Sequence, residues 1–190
     1  MSERPAVALS DPLALRAYAH PLRMSLVGLL RREGPLTATQ AAGLLRESVP
    51  SCSFHLRQLA KYGLVERVEG ADAREKPWRA TALSTTWTAA SDDPEIRAAA
   101  DHLDAVVIRR LYDRAMQWLG RRDADPPAWR SVTGPGDDLA YLTPEELGEL
   151  SRRIDALFDE YRPRQADPSL RPPGARPVHL GYYVTTLEQR

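Results

Sequence analysis

The sequence predicts a mainly α fold with a small β component, and three observations carry that expectation. Apolar residues recur at helical spacing in several runs, most of them opened by a capping residue and a proline. Glycines stand where helices must stop. Residues 64–69 mix apolar and charged side chains at about two-residue spacing, Gly70-Ala71-Asp72-Ala73 turns the chain, and residues 76–81 return as a second strand despite Pro77. Four short helices before such a hairpin make residues 11–83 a winged helix-turn-helix domain. Residues 84–190 are expected to form a second, α+β region with a long helix, a capped helix and short strands.

Taken in order, residues 1–10 are expected to be a mobile tail. Asp11 caps a short helix with Pro12 at its first position, running through Leu13, Leu15 and Tyr18. A second helix starts at Pro21, carries Leu22, Leu26, Leu29 and Leu30 on one face, and is broken by Gly34-Pro35. Thr37 with Gln40 three residues on is a capping box for a third helix through Ala41, Leu44 and Leu45. After the turn that follows, Ser48 caps a fourth helix with Pro50 at its second position, and Gly63 stops it.

That fourth helix is the centre of the sequence. Cys52, Leu56, Leu59 and Ala60 share one face, while Ser51, Ser53, His55, Arg57 and Gln58 crowd the opposite side and its flanks, with Lys61 at the end. The pattern Ser53-x-His55-Leu56-x-x-Leu59 followed by Gly63-Leu64-Val65 resembles the recognition helix and first wing strand of the ArsR family of transcriptional regulators. His20-Pro21-Leu22-Arg23 is similar to the opening of that family's second helix, so the resemblance covers about residues 11–81. It implies a homodimeric winged-helix regulator, expected to act as a repressor on a double-stranded DNA operator. Ser51, Ser53, His55, Arg57, Gln58 and Lys61 on the helix, and Arg74, Lys76 and Arg79 on the wing, are the candidate DNA contacts. Arg and Gln read base edges by paired hydrogen bonds, Ser and Lys mainly hold phosphates, and a basic wing enters the adjoining minor groove. For His55, packing beneath the helix is an equal alternative. Trp78 reads as an anchor of the hairpin and Cys52 as a buried thiol. A winged helix that assembles proteins without specific DNA binding is the competing reading.

Residues 84–92 read as a polar link. Asp93-Pro94 then starts a long helix whose apolar face includes Ile96, Leu103, Val107, Leu111 and Trp118, ending at Gly120. In the resembled family the first and last helices around the winged-helix core form the dimer interface, and this helix stands where the last would, which implies a dimerisation helix with Leu103, Val107 and Leu111 as dimer contacts here. Thr143-Pro144-Glu145-Glu146 opens another helix, with Leu147, Leu150, Ile154, Leu157, Phe158 and Tyr161 as its buried face. Residues 138–142 and 178–187 are expected strands, and the five prolines of residues 162–177 a flexible excursion. Trp118, Trp129, Tyr141, Tyr161 and Tyr182 either line a pocket for a small-molecule effector or form the core of a dimerisation appendage.

Composition narrows the function. Net charge is zero, yet residues 1–81 hold 12 Lys and Arg against 8 Asp and Glu, and residues 82–190 hold 14 against 18. The basic half suits a nucleic acid, the acidic half something else. One cysteine excludes an internal disulfide, and without a secretory signal or a long apolar run the expectation is a cytoplasmic protein with no membrane partner. The third helix lacks the family's thiolate pair, and the four histidines are scattered, so no metal site and no cofactor are expected. No nucleophile set or glycine-rich phosphate loop stands out, so an enzyme is not expected.

Overall fold

The computed structural model describes residues 6–69 and 76–187. It is mostly helical with two small sheets, and its contacts divide it into a unit running through Arg110 and one from Leu111 onward.

In the first unit, α1 (Pro12–Tyr18) is capped by Asp11, whose carboxylate accepts from the Leu13 N–H at 3.0 Å. α2 (Pro21–Glu33) is capped by His20 and ends at Gly34, whose φ of 80° is open to glycine at little cost. α3 (Ala38–Leu45) carries the full Thr37–Gln40 capping box. α4 (Val49–Lys61) begins on Ser48 and stops at Gly63, φ 70°, where the Leu64 N–H reaches back to the Leu59 carbonyl at 3.1 Å. The wing follows as β2 (Val65–Arg67) and β3 (Trp78–Ala80), antiparallel, with Glu66 opposite Arg79. Leu36 adds an isolated antiparallel bridge to β3 by exchanging two backbone hydrogen bonds with Trp78. This is the winged helix-turn-helix fold.

Its core is a continuous apolar cluster in which Leu15, Leu26, Leu29, Leu56, Leu59 and Leu64 are all but sealed from solvent, with Cys52 among them. At about 2–5 kcal/mol for each leucine truncated to alanine, this cluster supplies most of what holds α4 against α2 and α3.

Two expectations are corrected in this unit. The chain from Ala6 is not a tail: β1 (Ala6–Leu9) pairs in parallel with β4 (Ser84–Trp87), which the sequence placed in a polar link. Leu9 points into the core, and Trp87 donates its indole N–H to Asp104 at 2.7 Å. The second correction concerns the boundary at residue 83. The start of α5 (Pro94–Leu119) belongs to the winged-helix unit, because Ala99, Ala100 and Leu103 lie in its core. Arg16 pairs with Glu95 at 2.8 Å, and Arg110 donates to the Pro21 carbonyl and the Ser25 hydroxyl at 3.0 Å each.

The second unit contains the end of α5, α6 (Pro127–Arg130), α7 (Pro144–Asp159) with the expected capping box, and α8 (Pro163–Ala166). Residues 138–142 and 178–187 are irregular rather than stranded. Their β-propensity expresses a fit to a pleated, half-buried surface, and among the described residues no strand pairs with them. The face of α7 read as buried is half-buried at Leu147, Ile154 and Phe158 and exposed at Leu150, Leu157 and Tyr161. Among the described side chains from Leu111 onward, none is buried.

Candidate nucleic-acid interface

α3 and α4 are joined by Arg46, Glu47 and Ser48. Arg46 takes the left-handed conformation, φ 57° and ψ 43°, that ends α3, and the Glu47 N–H returns to the Ala42 carbonyl at 3.0 Å. That tight turn aims α4 away from α3. With Cys52, Leu56 and Leu59 sealed in the core, the helical repeat of about 100° per residue fixes what faces outward: Phe54, Arg57, Gln58 and Lys61, spaced three, one and three apart. Arg57 and Lys61 are exposed and Gln58 is half-buried. Ser51 and Ser53 are half-buried on opposite flanks.

His55 turns inward. Its ring lies 4.5 Å from that of His20, and together with Glu47 and Ser51 they border an open hollow of about 440 Å³ at the foot of α4. Burial first, then the Arg23 charge, holds both imidazoles below their ordinary value, with Glu47 partly opposing this at His55. His20 is occupied as a cap, its Nδ1 accepting from the Leu22 N–H at 3.2 Å. His55 therefore supports the helix from beneath rather than standing on its outer crest. Burial, then Glu47, pushes the Cys52 thiol up.

On the wing, Lys76 is exposed, whereas Arg79 is paired with Glu66 at 2.7 Å across the two strands. Arg74 lies outside the described residues. Sequence reasoning passed over Arg67. Its guanidinium sits 3.9 Å over the Trp78 ring and donates to the Lys76 carbonyl. Burial, then the charge of Arg57, lowers its pKa. A phosphate beside Arg67 would offset that charge, which makes Arg67 a candidate phosphate contact at the wing root. The signal was available as Arg67 and Trp78, which the hairpin register sets opposite each other.

The other candidate sets are not assembled as expected. Leu103 is buried in its own unit's core, and Val107 packs against that core. Leu111 is half-buried. The exposed apolar side chains of α5 are instead Ile108, Tyr112, Met116 and Leu119. Of the five aromatics expected to line a pocket, Trp118 borders an open hollow of about 460 Å³ with Arg122, Pro127 and Arg130. Trp129 lies under Arg176 at 5.3 Å, Tyr161 faces Arg164 at 5.1 Å, Tyr182 is exposed, and Tyr141 is 95% exposed. No two of these rings stack among the described residues.

With that geometry in place, the comparisons locate the recognisable part of the chain. Residues 18–68 match the family described as a helix-turn-helix domain. The match takes in α2, α3, α4 and β2, the elements that build and present the outer face of α4. No curated protein matches the chain. Among solved structures it is similar to the DNA complex of MepR from S. aureus, at 17% identity over 55% of this chain and 77% of that one, TM-score 0.31. It is also similar to a MarR family protein from Bacillus stearothermophilus, at 16% identity over 74% of each chain, TM-score 0.31. A third is ZitR from Lactococcus lactis (E41A mutant), at 17% identity over 72% of this chain and 73% of that one, TM-score 0.30. Overlap at that level carries no weight for fold or function here. Among the described residues, no helix is long and apolar enough to cross a membrane.

Proposed function

We propose that the chain is a sequence-specific DNA-binding transcriptional regulator of ArsR-like type, acting as a homodimeric repressor. One observation carries the reading: α4 is held by a sealed apolar face and presents Arg57, Gln58 and Lys61 outward beside the cationic wing root at Arg67. A helix so placed enters a major groove with its side chains at base edges, while Lys76, Arg67 and Ser51 hold phosphates. Arg79 contributes only after parting from Glu66.

Dimerisation belongs to the same reading, because one winged helix makes few contacts and two on half-sites about one helical turn apart make a tight complex. The apolar stripe of α5, Ile108, Tyr112, Met116 and Leu119, spaced four, four and three, suits a second copy of the same helix better than the buried Leu103. Control by a small molecule remains a further part of this reading, with the open hollow beside Trp118 as its candidate site. Selection from a pool of random duplexes tests the function: a regulator enriches a motif with two related half-sites, and a protein-assembly module enriches none.

A further inference from the structure

The outward crest of α4 holds one side chain that no phosphate or hydrogen bond explains. Phe54 is 50% exposed at the N-terminal end of an otherwise polar stripe, with Arg57 and Gln58 three and four residues on. The half of the ring left in water is apolar surface that an apolar partner would cover with a gain in free energy. It is also held in place: the ring meets that of His55 edge-on, at 5.2 Å and 77°, and His55 in turn rests on His20. Phe54 is the sixth residue of a thirteen-residue helix, in the N-terminal half that approaches base edges in a helix-turn-helix complex.

The major groove offers one apolar group on its base pairs, the C5 methyl of thymine. We propose that Phe54 is a specificity-determining residue that reads a thymine methyl in each half-site, beside the base contacted by Arg57 or Gln58. The proposal rests on the DNA-binding reading above and sharpens it, because hydrogen-bonding side chains alone leave that position of the operator open. The histidine pair beneath becomes the brace that holds the ring against the groove floor.

The test uses the full chain and the duplex enriched from the random pool. Each thymine is replaced singly by deoxyuridine, which keeps the base pair and removes only the methyl. One thymine per half-site should lose about three- to tenfold in wild-type affinity, the scale of one buried methyl. Phe54→Ala should bind the thymine and uracil duplexes equally at that position, and Phe54→Leu should keep part of the difference. A motif without thymine, uniform tolerance of uracil, or an unchanged thymine preference in Phe54→Ala overturns the proposal. Uniform tolerance of uracil by the wild type overturns the proposal without any variant, and where Phe54→Ala misfolds, Phe54→Leu assigns the contact: a thymine preference equal to that of the wild type overturns it. A pool that enriches no motif defeats the DNA-binding reading itself, a result distinct from a motif that is blind to the methyl.

Discussion

The His20 and His55 rings lie tilted against one another, 34° apart in plane with their centres 4.5 Å apart, joining the cap of α2 to the underside of the recognition helix. Burial first, then Arg23, lowers the pKa of both below the ordinary 6.5. A histidine whose folded pKa is depressed takes up its proton more readily when unfolded. The stability tied to its neutral form is therefore complete above pH 6.5 and is lost as pH falls through the folded value. Protonation at Nδ1 of His20 also ends the cap on Leu22. The urea midpoint should be level from about pH 8 to 6.5 and fall below that. His20→Asn, which keeps a capping oxygen, should flatten part of the fall; an equally steep fall in the variant would place the titrating group elsewhere.

Lys76, exposed on the wing, is expected to hold a phosphate and no base. Lys76→Ala should weaken operator and random duplex alike and lower the slope of log affinity against log salt by about 1. A loss confined to the operator would make it a base contact.

Tyr112 lies 60% exposed on the apolar stripe of α5, so Tyr112→Asp should leave the winged-helix unit folded and yield a monomer in sedimentation. Operator affinity should drop by about a hundredfold or more, because the second half-site no longer binds at high effective concentration. Val107→Asp should instead destabilise the fold, since Val107 packs against the core. A Tyr112→Asp protein that remains a dimer would move the interface off this stripe.

Cys52 is sealed in the core with its thiol pKa pushed up. Because the thiolate is the reacting species, a thiol reagent should modify the native protein only at the rate of its opening. Modification as fast as that of a free thiol would contradict the burial.

The winged-helix unit was largely legible in the sequence because its helices announce themselves locally. Asp11, Thr37 and Ser48 cap within three residues of themselves, and Gly34 and Gly63 end helices by their own backbone freedom. What lay hidden depends on distant partners. β1 and β4 are four residues each and pair Ala6 with Ser84, a relationship no local pattern records. Leu103 shares a helical face with Leu111, yet is sealed in the core while Leu111 is half-buried, and periodicity alone cannot say where along α5 the core ends. In residues 178–187 β-branched and aromatic residues suggested a strand, but a strand needs an edge and none pairs with it among the described residues. Arg67 and Phe54 escaped the candidate site because one was counted as a strand residue and the other has no hydrogen-bonding group.

The central claim, that the outward face of α4 reads base sequence, is tested most directly by the specificity ratio of Arg57→Ala. Affinity for the enriched duplex is divided by affinity for a scrambled one at the same salt, in the variant and in the wild type. Loss of a bidentate base contact costs about 1–3 kcal/mol on the enriched duplex alone, so the ratio should fall by about five- to 150-fold. A ratio equal to that of the wild type would contradict the claim.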